Sequence, residues 1–377
     1  MAAQSTFRRI YALALAFLLV APLPVSSQSQ KSSPSKPAGS TASKAPAKKK
    51  TTTRRCKNCI PTYADSTADD IPEFDDPQVR EVAVEALGRF NGSVVVADAS
   101  TGRILTIVNQ RMAFTTAFKP CSTVKPVVAV AALTEGVVSR DSMIKVGRRT
   151  YMNLTEAMAH SNNPYFEILG KQMGFATVSR YAKLLGFGEA AGYGIFEEQA
   201  GVVPAEAPSY GGVGRMSSFG EGIQITPLHL TSLAAAFATG GTMYYLQYPR
   251  DEEQRLNFTP RVKRQLDLSL QLPELRDGML AAVLYGTGRK SFDSEGEQIL
   301  GKTGTCNDQG ARLGWFFAFN DHGSKRLAVA VLLRGSSRVV NGGTAAEVAG
   351  QVYHRLRERN YITRFSHTEV SAVSSSN

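Results

Sequence analysis

The sequence predicts an α+β fold, in which both ends of one domain build an antiparallel sheet that is flanked by helices, with an all-helical subdomain between them. Two observations predict this arrangement. Runs rich in β-forming residues occur early in the globular region, at 92–98 and 103–108, and again near its end, at 301–333. Between them, from about 125 to 287, the apolar residues follow mostly helical spacing with Gly and Pro breaks.

The elements follow in chain order. Residues 78–90 carry apolar side chains near helical spacing, which predicts a first helix. The two early β-rich runs are joined by a short glycine-containing turn, which is typical of a hairpin. Three later strands are predicted at 301–305, 314–319 and 327–333. A closing helix is predicted over 345–359, where Val348, Val352 and Leu356 recur at i, i+4 and i+8.

Composition bounds the class of protein. The chain has 377 residues, of which 43% are hydrophobic, so it can form a real core and is neither fibrous nor wholly disordered. A mean hydropathy of −0.15 excludes a polytopic membrane protein. The net charge of +11 comes from an N-terminal arm, because residues 1–60 hold eleven Lys and Arg and no acid. The rest is neutral, so we expect no nucleic-acid-reading face.

The first residues resemble an export signal. Phe7-Arg8-Arg9 precedes an apolar run over 10–20 that ends in prolines and small residues. We therefore expect an exported protein of the periplasm or cell envelope, in which residues 1–27 are either a cleaved signal peptide or an uncut anchor in the inner membrane. The predicted organisation continues with a disordered basic Ser/Pro/Lys-rich linker over 28–74, the globular domain over 75–362 and a disordered tail over 363–377.

Three short patterns occur in order along the globular part. They are Ser122-Thr123-Val124-Lys125, Ser161-Asn162-Asn163 and Lys302-Thr303-Gly304-Thr305. Each alone arises by chance in a chain of this length. Together, in suitable local structure and in an exported protein, they predict one catalytic site.

Chemistry at the first two patterns can be inferred from residue type and spacing. Ser122 and Lys125 lie one turn apart at the start of an apparent helix, so the hydroxyl and amine share a face. A partly buried amine has a lowered pKa and can accept the hydroxyl proton without a histidine. Ser161 can relay a proton, and Asn163 can bind an amide.

In the third pattern, Gly304 removes a Cβ where an extended peptide would approach a strand edge. Lys302 supplies a fixed positive charge for a carboxylate. Each residue also has a simpler interpretation: Ser122 as a helix cap, Lys125 and Lys302 as solvated charges, and Ser161-Asn162-Asn163 as a capping turn before Pro164.

These motifs resemble those of the penicillin-binding transpeptidases and the related serine β-lactamases, which carry S-x-x-K, S-x-N and K-T-G. The resemblance covers roughly residues 75–360. It extends to the hairpin at 92–108 and to these shorter segments: Lys119–Pro126, Leu185–Gly188, Phe219–Leu228, Gly286-Thr287-Gly288 and Gly314-Trp315-Phe316.

The resemblance implies a role for each matched residue. Ser122 would be the acylated nucleophile and Lys125 its base, and the N–H groups of Ser122 and Thr305 would form the oxyanion hole. Ser161 and Asn163 would serve proton transfer and substrate binding, while Lys302, Thr303 and Thr305 would bind the substrate carboxylate. The substrate would be the D-Ala-D-Ala end of a peptidoglycan stem peptide, and β-lactams would acylate the same serine. No metal or organic cofactor is implied.

The cysteines depart from the family pattern. Cys121 stands where these transpeptidases usually have Gly, and Cys306 follows the third motif. The implied fold places both segments beside one site, so the two could pair, but we expect two unpaired buried thiols. Cys56 and Cys59 have redox or zinc spacing without a second ligand pair, so a small local disulfide or two idle thiols is expected.

Other functions remain open at this stage. A class A β-lactamase would need a deacylating glutamate, and the E-x-x-L-N match at Glu253–Asn257 lies too far along the chain. A class D-like enzyme would carboxylate Lys125. A non-catalytic sensor of β-lactams or wall fragments would keep the motifs for recognition alone. Transpeptidation and carboxypeptidation are equally compatible with the sequence.

Overall fold

The computed structural model describes residues 59–296, 298–320 and 322–363. Five strands form one antiparallel sheet: β1 (Gly92–Asp98), β2 (Ile104–Val108), β7 (Ile299–Asp308), β8 (Ala311–Asn320) and β9 (Leu327–Gly335). Their order across the sheet is β2-β1-β9-β8-β7. The β7 strand, which carries the third motif, forms one edge of the sheet.

Both ends of the domain build this sheet, as predicted. The register pairs Val94 of β1 with Val108 of β2 on one side and with Val331 of β9 on the other. The early hairpin therefore joins the late strands through β9. This pairing carries the edge strand β7 into contact with the short 3₁₀ turn at Cys121–Val124, almost two hundred residues earlier in the chain.

Helices cover both faces of the sheet. The helices are α1 (Pro77–Leu87), α2 (Gln110–Thr115), α3 (Lys125–Thr134), α4 (Leu154–Ala159), α5 (Asn163–Leu184), α6 (Gly212–Phe219), α7 (Pro227–Ala238), α8 (Glu252–Leu256), α9 (Leu272–Leu284) and α10 (Gly342–Glu358). Phe316 and Ala318 face the core formed with α1 and α10, whereas Trp315 and Phe317 face the core formed by the central helices. Because both faces are buried, β8 and β9 read as continuous apolar runs.

The central segment is not all-helical, which corrects the prediction. It holds two short antiparallel ribbons, one of β3 (Ile144–Lys145) and β4 (Tyr151–Met152), the other of β5 (Thr242–Tyr244) and β6 (Val262–Gln265). These strands are two to four residues long and mostly half-buried or exposed, so they leave no clear alternation of apolar residues.

The folded domain also begins earlier than predicted. Tyr63 forms a β-bridge with Phe90, and the Ser66 hydroxyl donates to the Phe90 carbonyl at 2.8 Å. Asp70 forms an ion pair with Arg80 of α1 at 2.7 Å. Residues 59–74 therefore belong to the domain, because polar side chains fix a segment that lacks the apolar periodicity of a core element.

The predictions for residues 1–27, for the linker up to residue 58 and for the tail from residue 364 lie outside the described residues. Within the described ranges, no helix is long and apolar enough to cross a membrane.

Candidate active site

The first motif forms a tight turn before a buried helix. Cys121–Val124 is a 3₁₀ turn, and α3 follows directly from Lys125 with Pro126 at its start. Ser122 lies in this turn with 8% of its surface exposed. Its hydroxyl caps neither helix, so the simpler interpretation of Ser122 as a capping residue does not hold.

Lys125 is fully buried rather than solvated. Its amine donates to the Ser161 carbonyl at 2.6 Å, to Ser161 Oγ at 3.0 Å and to Asn163 Oδ1 at 2.6 Å. The structure thus brings the first and second motifs together around one amine.

The second motif is both a helix cap and part of the site. Asn162 Oδ1 accepts from the Tyr165 amide at 2.9 Å and so caps α5, while Asn163 is the first residue of that helix. Ser161 has a φ of +53°, in the left-handed region that non-glycine residues rarely adopt. This turn directs both the Ser161 carbonyl and its hydroxyl toward Lys125.

Lys302 joins the same cluster from the sheet side. It is fully buried, and its amine donates to Ser161 Oγ at 2.8 Å and to its neighbour's carbonyl, Thr303 O, at 2.9 Å. Two lysine amines therefore meet at one serine hydroxyl. In this geometry the Lys302 amine contacts Ser161 and does not line the open cleft.

Burial changes the protonation of both lysines. It lowers the pKa of Lys125 well below its usual value, and the nearby charge of Lys302 lowers it further, while Glu167 opposes the change. Burial lowers the pKa of Lys302 to about 7. Near neutral pH an amine in this cluster can therefore be unprotonated, and an unprotonated amine is able to accept a proton.

The third motif forms the opposite wall. The Thr303 and Thr287 hydroxyls lie 2.6 Å apart, and Thr305 Oγ1 accepts from the Gly342 amide at 2.7 Å. At Gly304 a Cβ would lie 3.0 Å from the Pro120 carbonyl and 3.1 Å from Thr123 Cγ2. Gly304 therefore lets β7 pack against the Cys121–Val124 turn, which differs from the predicted role of leaving space for a substrate.

A cleft of about 410 Å³ opens over these residues. It is lined by Ser122, Ser161, Asn163, Phe219, Gly286, Thr287, Arg289, Lys290, Thr303, Thr305, Asn341 and Gly343. Five of the eight predicted site residues thus reach the cleft. Lys125, Lys302 and Gly304 lie behind its wall.

Sequence reasoning missed Arg289 as a candidate ligand for a carboxylate. Arg289 lines the cleft, is exposed and has no acidic partner among the described residues, whereas its neighbour Lys290 pairs with Glu347 at 2.7 Å. The preceding Gly286-Thr287-Gly288 segment marks this region in the sequence. A single arginine after it gives no signal of its own.

Cys121 and Cys306 form a disulfide, with Cα atoms 5.6 Å apart. The expectation of two unpaired thiols is therefore wrong. It failed because the Cys121–Val124 turn and β7 approach each other more closely than two unbonded buried thiols would require. Gly304 permits this approach, since it has no side chain between the turn and the strand. Cys59 is also disulfide-bonded, and Cys56 lies outside the described residues.

No group of three or more His, Cys, Asp or Glu within the described ranges could hold a metal ion. Glu253 lies on α8 and is exposed, and it is not one of the residues that line the cleft. The E-x-x-L-N match is therefore not part of this site.

The three motifs meet around one cleft, and the chain belongs to the penicillin-binding protein transpeptidase domain family, which it matches over residues 92–354. Among relatives, stage V sporulation protein D of Bacillus subtilis is 28% identical over 53% of this chain and 34% of its own length. The peptidoglycan D,D-transpeptidase FtsI of Escherichia coli is 28% identical over 40% of this chain and 31% of its own. The chain thus matches about a third of each relative.

Solved structures show the same fold. The D,D-transpeptidase domain of a peptidoglycan glycosyltransferase from Eggerthella lenta aligns with a TM-score of 0.62 and 20% identity, covering 75% of this chain and 81% of that one. The TP domain of Burkholderia pseudomallei penicillin-binding protein 3 aligns with a TM-score of 0.64 and 18% identity, covering 78% and 97%.

Proposed function

We propose that this protein is a serine D,D-transpeptidase that acts on the D-Ala-D-Ala end of peptidoglycan stem peptides through an acyl-enzyme on Ser122. One observation carries the proposal: Ser122 lines a cleft beside a buried lysine whose amine bonds the second motif, while Thr303 and Thr305 form the facing wall. The names of the matched relatives support transpeptidation over simple hydrolysis.

In the first step, Ser122 Oγ attacks the carbonyl carbon of the penultimate D-Ala, and its proton passes to the unprotonated Lys125 amine. The amides of Ser122 and Thr305 donate to the oxyanion that forms. Collapse of this intermediate breaks the C–N bond and leaves an ester on Ser122, while the departing D-Ala amine takes a proton.

Ser161 is well placed to pass that proton. Its hydroxyl lies 3.0 Å from the Lys125 amine and 2.8 Å from the Lys302 amine. Once Lys125 has taken the Ser122 proton, its ammonium donates to Ser161 Oγ, and the Ser161 hydroxyl passes its own proton to the departing amine while it takes one from Lys125. In the second step an amino group of another stem peptide attacks the ester, and the same groups act in reverse.

A β-lactam would acylate the same serine, so a fluorescent penicillin tests the nucleophile. We expect labelling of the wild-type chain on the peptide that contains Ser122, identified by mass spectrometry, and none in Ser122→Ala. Ser139→Ala, which changes an exposed serine outside the cleft, is the matched control and should label normally. Undiminished labelling of Ser122→Ala would exclude Ser122 as the nucleophile.

The reaction class needs a second assay. Incubation with a D-Ala-D-Ala pentapeptide and an amino acceptor should release D-Ala and form a cross-linked product. Release of D-Ala without cross-linking would indicate a carboxypeptidase instead. Many turnovers of nitrocefin would indicate a β-lactamase, and labelling with neither activity would indicate a sensor.

Export and anchoring remain part of the proposal. The basic and apolar run over 7–27 would direct the chain to the periplasm or cell envelope, where its substrate lies. Fractionation of cells that make the full chain would place the protein in the soluble periplasm or with the inner membrane. Recovery in the cytoplasm would contradict export.

A further inference from the structure

The residue before the nucleophile has an unusual backbone. Cys121 has a φ of +54°, in the left-handed region, and its side chain is fully buried. A residue with a Cβ is disfavoured in this region, whereas glycine adopts it freely. The φ of Cys121 also determines where the next amide, that of Ser122, points. Something must hold Cys121 in this conformation.

A covalent bond holds it from the opposite wall of the cleft. Cys306, the partner in the disulfide, directly follows Thr305 on β7. The bond therefore joins the residue before the Ser122 amide to the residue after the Thr305 amide. These are the two amides assigned to the oxyanion hole in the proposed function.

Other contacts between the same segments act on neighbours of Cys121 and not on Cys121 itself. Trp315 Nε1 donates to the Lys119 carbonyl at 3.0 Å, and the Lys119 amide donates to Asp308 Oδ2 at 2.9 Å. They bring the turn and the sheet together. The Thr123 amide and hydroxyl also donate to the Pro120 carbonyl, at 3.2 and 2.6 Å, and close the turn around Cys121, but none of these contacts acts on the Cys121 side chain.

We propose that the Cys121–Cys306 disulfide is a positioning element for acylation, which keeps the Ser122 and Thr305 amides aligned by holding Cys121 in its left-handed conformation. This inference rests on the proposed function. It predicts that acylation depends on the redox state of the bond. Reduction by a dithiol would convert the two cysteines to thiols while the dithiol becomes a cyclic disulfide, so two electrons and two protons pass to the protein.

Two double variants separate positioning from simple cross-linking. Cys121→Ala/Cys306→Ala and Cys121→Gly/Cys306→Ala both lack the bond, so they share the loss of the cross-link. They differ in whether residue 121 can adopt positive φ without cost. The readout is the rate of acylation of the full chain by a fluorescent penicillin, with thermal unfolding to confirm that both variants are folded.

We expect the alanine variant to acylate about tenfold or more slowly than wild type, because a non-glycine residue leaves the left-handed region once released. The glycine variant should stay within about threefold of wild type. Dithiothreitol should slow the wild type to the level of the alanine variant and leave the glycine variant unaffected. Since the glycine variant keeps the bonded Cys59, its insensitivity would exclude an effect through Cys59.

The outcomes that contradict the inference are distinct. An alanine variant that acylates like wild type would show that the bond does not position the site. Equal losses in the alanine and glycine variants would show that only the cross-link matters. No labelling of untreated wild type would instead contradict the proposed function.

Discussion

At the scale of the residue, the site contains two lysines whose burial lowers their pKa values. Lys125 and Lys302 are both fully buried, and both amines contact Ser161 Oγ. Two neighbouring ammonium groups repel each other away from water, which favours the loss of a proton from one of them. The hydrogen bonds of Lys125 to Ser161 and Asn163 hold its amine at the second motif.

Replacing Lys125, the proposed base, should remove most of the acylation rate. We expect Lys125→Met, which keeps an unbranched side chain of similar length, to slow acylation by about 10²–10⁴-fold, because no group remains to accept the Ser122 proton. The measurement is a time course of fluorescent penicillin labelling. Lys145→Met, at an exposed position on β3, should behave like wild type. A rate within twofold of wild type in Lys125→Met would require a different base.

Arg289 should affect binding and not the chemical step. Its exposed side chain lines the cleft with no acidic partner in the described part of the chain, whereas Lys302 is buried behind Ser161. We expect Arg289→Gln to raise the penicillin concentration for half-maximal acylation rate by about tenfold, with the maximal rate nearly unchanged, since a charge-assisted hydrogen bond to the carboxylate is lost.

A penicillin methyl ester serves as the control for this effect, because it lacks the carboxylate charge. Wild type and Arg289→Gln should respond to the ester alike. A lower maximal rate with unchanged half-saturation would instead assign Arg289 to the transition state.

At the scale of the element, the edge strand β7 is in direct contact with the Cys121–Val124 turn. Gly304 makes this possible, because the Pro120 carbonyl and Thr123 Cγ2 occupy the space beside it where a side chain would lie. The same strand carries Lys302 toward Ser161 and Thr303 toward Thr287. The separation between turn and strand therefore sets the geometry of all three motifs.

A single methyl group at this contact should disturb the site. In Gly304→Ala the new Cβ would require shifts of a few tenths of an ångström in the backbone of the turn or strand. We expect acylation to slow by about tenfold or more, because small displacements of the oxyanion-hole donors are costly. Gly147→Ala is the matched control, since a Cβ there meets only ordinary contacts at 3.5 Å.

Thermal unfolding distinguishes the two possible causes. If Gly304→Ala acylates normally, the close approach of β7 is not needed for the site. If it melts far below Gly147→Ala, the contact serves stability in addition to alignment.

At the scale of the whole molecule, a buried carboxyl group joins the segment before α1 to distant parts of the domain. Asp75 accepts hydrogen bonds from Thr106 of β2, at 2.6 Å, and from Tyr248, and it lies 3.6 Å from Arg80. Burial raises the pKa of Asp75 to about 6, although the hydrogen bonds from Thr106 and Tyr248 oppose the shift. This group therefore couples pH to the stability of the domain.

The sign of that coupling follows from proton counts. Between pH 4 and 6 the folded state keeps the Asp75 proton that the unfolded chain has lost, so this residue's contribution to stability is largest below about pH 4 and falls until about pH 6. Raising the pKa of Asp75 to about 6 corresponds to a change of about 3 kcal/mol in the free energy of unfolding across this pH range. In Asp75→Asn this dependence should vanish, because the amide does not titrate.

Urea unfolding at pH 4, 5, 6 and 7 measures the effect. The free energy of unfolding of wild type, taken relative to Asp75→Asn at the same pH, should fall as pH rises from 4 to 6 and stay level above. Other carboxyl groups titrate in both proteins and cancel. A constant difference across this range would show that Asp75 is not the coupling group.

The sequence by itself determined the fold class and the three motifs. Both come from local signals: the alternation and apolar spacing of the elements, and residue types at fixed short spacing in Ser122–Lys125, Ser161–Asn163 and Lys302–Thr305. The two-stranded ribbons and residues 59–74 escaped prediction because short, polar or half-exposed segments carry no such periodicity.

Only the tertiary structure decided which groups each motif residue contacts. Several contacts depend on distances between segments far apart in the chain. They are the contact of Lys302 with Ser161, the place of Arg289 in the cleft, the packing at Gly304 and the bond between Cys121 and Cys306. Sheet pairing sets those distances, since β9 bonds both β1 and β8 and so fixes where the edge strand β7 meets the Cys121–Val124 turn. Residue spacing within a motif contains no information about that meeting point.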